Sequence, residues 1–104
     1  MNRKFNITMH APLGLRHGTL CFTEYSGNIR GTLTLLGGSD SFTGHITEKG
    51  IIEFSGRLTS KLHSFSYSAK GNIANSMLTL DVIGDRYSFR ITGNEIKPQE
   101  ENSK

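Results

Sequence analysis

The chain has no tryptophan, one cysteine and two prolines in 104 residues. A lone Cys21 cannot close an intramolecular disulfide, so the fold has no covalent staple and rests on burial alone. No apolar stretch approaches the roughly 18 residues that a membrane-crossing helix needs. Met1-Asn2-Arg3-Lys4 leads into the alternating Phe5-Asn6-Ile7-Thr8-Met9, where a signal peptide would need a continuous apolar core. A soluble, cytoplasmic protein with no membrane association is therefore expected. Nor does any window show the period of an amphipathic helix.

What is present is alternation. Hydrophobic residues make up 35% of the chain, enough for a core only if they point the same way. Phe5, Ile7, Met9 and Ala11 oppose Asn6, Thr8 and His10, and Ile29, Gly31, Leu33 and Leu35 oppose Arg30, Thr32 and Thr34. Ile52, Phe54, Gly56 and Leu58 oppose Glu53, Ser55 and Arg57, and Tyr87, Phe89, Ile91 and Gly93 oppose Ser88, Arg90 and Thr92. Four further runs, around Leu20, Phe42, Tyr67 and Leu80, behave alike. Successive side chains of a strand face opposite ways, so each run reads as a half-buried strand.

Short turn signals separate the runs: Pro12-Leu13-Gly14, Ser26-Gly27-Asn28, Gly37-Gly38-Ser39-Asp40, Glu48-Lys49-Gly50, Ala74-Asn75-Ser76 and Gly84-Asp85. Such connections join antiparallel neighbours, with one longer join near Thr59 to His63. The expected fold is all-β: an eight-stranded antiparallel up-and-down meander closed into a barrel, with short strands. Closure removes exposed edges and is preferred to a sandwich, and no long return connection supports a Greek key. One domain over residues 1–96 and a disordered polar tail over 97–104 complete the reading.

Glycine recurs at a regular interval. Gly18-Thr19-Leu20, Gly31-Thr32-Leu33, Gly44-His45-Ile46, Gly56-Arg57-Leu58 and Gly71-Asn72-Ile73 each read glycine, polar, aliphatic, and Gly93 heads a looser copy. All six glycines fall on the apolar face. They could hollow out a cavity, but strands that must coil sharply account better for the spacing. Some 22 large apolar residues, Tyr67 and Tyr87 among them, are available to fill the interior, so any pocket should be small, apolar and near one mouth.

Chemistry is sparse. His10, His17, His45 and His63 lack metal-ligand spacing, and Cys21 sits on a polar strand face. No nucleophile elbow or phosphate loop occurs, so no catalytic residue, metal or cofactor is assigned. The carboxylates lie mostly at turns and outer faces. Glu24 would turn inward at a mouth if its strand kept alternating; a frayed strand end is the preferred reading. The net charge of +3 permits an acidic partner without requiring one. Arg30, Arg57, Lys70, Arg86 and Arg90 face outward, but Tyr25 is the only aromatic expected beside them, which argues against a nucleic-acid surface. Leu36, Ile51, Met77 and Ile83 interrupt the polar face and offer a modest homodimer patch.

Ala11-Pro12-Leu13-Gly14, Gly31-Thr32-Leu33-Thr34-Leu35-Leu36-Gly37, Phe42-Thr43-Gly44, Phe54-Ser55-Gly56 and Tyr67-Ser68-Ala69-Lys70-Gly71 together resemble a group of small uncharacterised bacterial proteins, mainly of Clostridia-like Firmicutes. A similar segment is appended to some flavin-dependent oxidoreductases. The resemblance covers about Phe5 to Ile96 and implies a calycin-like or streptavidin-like barrel. It carries no catalytic residue, and the missing tryptophan excludes a lipocalin signature.

The function expected from these readings is a non-enzymatic binding or accessory module. It would hold a small apolar ligand or a partner-protein segment at one barrel mouth, with Tyr67, Tyr87 and Glu24 as candidate binding residues. The alternative is a structural or protein-interaction domain acting through its outer face or as a homodimer. An enzyme would need His10, His45 or Glu24 to converge on a pocket.

Overall fold

The computed structural model describes residues 1–12, 14–59, 64–85 and 87–97. The sequence readings placed on Leu13, His63, Arg86 and residues 98–104 lie outside these. Every alternating run is a strand: β1 (Asn2–Ala11), β2 (Gly14–Tyr25), β3 (Asn28–Leu35), β4 (Gly38–Ile46), β5 (Ile51–Thr59), β6 (Ser64–Ala74), β7 (Met77–Gly84) and β8 (Ser88–Glu95). Each strand pairs antiparallel with its neighbour in the chain. β8 returns to β1, from Phe5 opposite Glu95 to His10 opposite Arg90, and closes the barrel. No sandwich edge survives the closure. Among the described residues no helix is long and apolar enough to cross a membrane.

Three hairpins turn on residue pairs with positive φ: Ser26-Gly27 (53° and 84°), Leu36-Gly37 (58° and 84°) and Asn75-Ser76 (53° and 65°). That pairing matches the right-handed twist of the flanking strands. A two-residue turn at Leu36-Gly37 also corrects the sequence reading, because Gly38, Ser39 and Asp40 are then free to enter β4. Leucine is disfavoured at positive φ. Here the half-buried Leu36 side chain packs against the core, which offsets the backbone cost. β2 starts at Gly14, before its alternation is visible. Its first four residues are all exposed, so the sequence there carries no two-faced pattern.

The interior is filled. Among the described residues, twenty-two apolar side chains are buried, and no charged or polar residue is buried with them. The inward glycines serve close approach of the strands. A Cβ built on Gly71 would lie 1.8 Å from the carbonyl oxygen of Thr79 on β7. At the other five inward glycines, too, the nearest atom is a carbonyl oxygen of the adjacent strand.

Register explains where the volume goes. Phe22 pairs with Gly31, Gly31 with Phe42, Phe42 with Gly56, Gly56 with Tyr67, and Tyr67 with Gly84. One layer of the core thus alternates ring and glycine around most of the barrel, and each ring occupies space its neighbours leave free. A small barrel closes tightly only if small and large residues alternate in this way.

Candidate functional site

The three residues singled out from the sequence do not converge. Tyr67 and Tyr87 lie at one end of the barrel, with the Leu36-Gly37 turn. Glu24 lies at the other, with the two termini of the described chain. Tyr87 was expected inside, but it is 53% exposed. It stands just before β8, where parity still points inward but no strand remains to enclose the ring. Its edge meets the Phe65 ring at 5.8 Å and 75°. Two tyrosines, Tyr25 and Tyr87, are therefore exposed, where the sequence suggested one.

Glu24 does not sit in a frayed turn. β2 runs through to Tyr25, Glu24 stands opposite Ile29, and its backbone N–H donates to the Met1 carbonyl at 2.8 Å. The half-buried carboxylate joins an inward-facing group that the sequence reading missed. Arg3 donates from Nε to Glu95 Oε2 at 2.9 Å and from Nη2 to Oε1 at 2.8 Å, and its guanidinium lies 5.6 Å from the centre of the Phe5 ring. The hydrogen bond from Arg3 is the main force holding the Glu95 carboxyl below its ordinary range. In turn the Glu95 hydrogen bond, with a weaker contribution from the charge of Glu24, raises Arg3 against its desolvation. Extending the alternation two residues back from Phe5 and two beyond Gly93 would have found both partners.

At the Tyr87 end, Asp40 is half-buried on the inward side of β4. Its carboxylate accepts from the Thr59 amide at 2.8 Å and the Thr59 hydroxyl at 3.0 Å. Tyr67 is 3% exposed, and its hydroxyl has no hydrogen-bond partner. Burial, and secondarily the charge of Asp40, raises the phenol above its usual range.

The outer face holds an open groove of about 1320 Å³ across β2 to β7. Tyr25, Arg30, His45, Glu53, Lys70 and Ile83 are among its lining residues. A smaller groove of about 330 Å³ lies on the β1–β2–β7–β8 side, between Asn6, His17, Met77 and Asn94. Neither is lined by Tyr67, Tyr87 or Glu24. No family model matches the chain, and no curated protein matches it.

The outward charges are ordered. Register places His45 opposite Glu53, Glu53 opposite Lys70, Lys70 opposite Asp81, Asp81 opposite Arg90, and Arg90 opposite His10. From Glu53 to Arg90 the row alternates in sign, and its His45, Glu53, Lys70 and Asp81 line the large groove. Arg90 Nε donates to Asp81 Oδ1 at 3.1 Å, whereas Arg30, Glu53 and Lys70 have no ion pair among the described residues.

The three described histidines are each engaged locally: His10 with Thr92 at 2.9 Å, His17 with Thr8 at 3.2 Å and His45 with Asn28 at 3.1 Å. No cluster of three His, Cys, Asp or Glu side chains able to hold a metal occurs among the described residues. Of the apolar residues that the sequence suggested as a patch, Ile51, Met77 and Ile83 are exposed. Ile83 borders the large groove, Met77 the small one, and Leu36 packs on the core.

Proposed function

We propose that the protein is a non-enzymatic interaction module that engages a partner protein through the groove on its outer face. The observation that carries this reading is the charge row. Two exposed apolar anchors, Tyr25 at 80% and Ile83 at 65%, border a concavity lined by Arg30, Glu53 and Lys70, which have no ion pair among the described residues. Aromatic and aliphatic anchors with polar groups around them are what protein interfaces use. A nucleic-acid strand would meet Glu53 and Asp81 between the cations, and like charge would repel its phosphates.

The other expected reading, a small apolar ligand or partner segment at the Tyr67–Tyr87 mouth, has less support. The interior is filled, and neither groove is lined by those two residues.

A photo-reactive residue at Ser68, in the large groove, and another at Thr92, in the small groove, test the reading in the cells that make the protein. The Ser68 position should yield one discrete adduct that Tyr25→Ala and Ile83→Glu each abolish. Equal labelling from both positions, or an adduct indifferent to those substitutions, would sink it. An adduct of twice the chain mass, with a dimer in sedimentation, would identify a second copy as the partner.

A further inference from the structure

Tyr67 sets a problem that the outer groove does not address. Its ring fills a core position, as phenylalanine would, and the Phe54 ring meets it edge-on at 6.0 Å. The hydroxyl adds nothing to that packing. It is buried, has no partner, and so gives up its hydration without return.

Its neighbours are polar on one side. The point where Gly56 would carry a Cβ lies 3.1 Å from Tyr67 Oη and 2.9 Å from the Ser41 carbonyl oxygen. The residue before Ser41 is Asp40, which faces inward from β4. Both of its carboxylate oxygens already accept from Thr59, and each keeps a free lone pair. A buried phenol donor and a half-buried carboxylate acceptor thus lie at the same end of the barrel.

We propose that Tyr67 Oη and the Asp40 carboxylate form an internal site for one small uncharged O–H group, a water molecule or the hydroxyl of a small alcohol. That group accepts from the phenol and donates to the carboxylate. One neutral O–H both accepts from a phenol and donates to a carboxylate, and its small size suits an interior lined by buried apolar side chains. The site is independent of the outer-face reading, and either can fail alone.

Urea unfolding of the wild type, Tyr67→Phe, Asp40→Asn and the double variant tests it. Tyr67→Phe keeps the ring, and an occupied site predicts a folded-to-unfolded ratio about tenfold lower than wild type. The loss should shrink in the Asp40→Asn background, because both side chains hold the same group. A water occupant gives a nuclear Overhauser effect from water to the Tyr67 ring. An alcohol occupant gives a saturable shift of the Tyr67 resonances on titration with ethylene glycol, absent in Tyr67→Phe. A Tyr67→Phe protein as stable as wild type, or more so, overturns the proposal. A loss accompanied by neither spectroscopic signature does the same.

Discussion

The two ends of the barrel face the same difficulty and meet it differently. At the end with the termini, strand parity turns Arg3, Glu24 and Glu95 toward the interior, and the two charged ends of the closing β1–β8 pair form a bidentate ion pair. Arg3 and Glu95 satisfy one another there, and Glu24 adds a charge beside Arg3. At the other end, parity turns Asp40 and Tyr67 inward, but only Asp40 has found partners, on Thr59. The contrast teaches that closing a barrel and completing its polar inventory are separate tasks. The Arg3–Glu95 pair does both at the first end, and the second leaves the Tyr67 hydroxyl without a partner among the described residues.

The largest test of that contrast replaces inward glycines along the barrel. Gly71→Ala drives a Cβ into the Thr79 carbonyl at 1.8 Å, whereas Gly56→Ala meets its nearest atom at 2.9 Å. Gly71→Ala is expected to cost more than about 3 kcal/mol or to prevent folding, and Gly56→Ala about 1–3 kcal/mol. Chemical denaturation of both variants measures the difference. Equal losses would show that the glycines do not mark close approach.

Breaking the ion pair comes next. Arg3→Ala strands a partly buried carboxylate and is expected to cost about 1–2 kcal/mol at neutral pH. Tyr87→Ala, at the opposite end, removes an exposed ring and one edge contact, and is expected to cost about 0.5–1.5 kcal/mol. If Tyr87→Ala proved the more damaging, the ion pair would not be the closure it is taken to be here.

The smallest effects separate the ends by pH. The Glu95 carboxyl is depressed in the folded protein, so it stabilises above its unfolded pKa, and that contribution disappears as pH falls through its folded value. Tyr67 is raised in the folded protein, so its contribution is complete below the unfolded value near pH 10 and declines as the pH rises beyond it. Melting curves across pH should therefore lose their acid slope in Glu95→Gln and their alkaline slope in Tyr67→Phe, each without altering the other.

Much of this was legible beforehand. Alternation around Phe5, Leu33, Phe54 and Leu80 carries strand identity because burial on one face leaves a period of two in the residue types. Tyr67 was legible as an inward ring for the same reason. Tyr87 was misread because parity describes direction, while burial needs neighbours, and a strand end has few. Glu24 was read as frayed because nothing local announces the Met1 backbone that holds it from another strand.

The sequence by itself determined the strands, their order and the sign of each face, since these depend on local alternation and on turns too short for a crossover. Only the tertiary structure decided register, and register makes the ring–glycine layer, the ion pair of Arg3 with Glu95 and the charge row from His45 to His10. The Arg3–Glu95 and Arg90–His10 contacts join residues far apart in the chain, the others join neighbouring strands, and a shift of one residue between neighbours would dissolve every one of them.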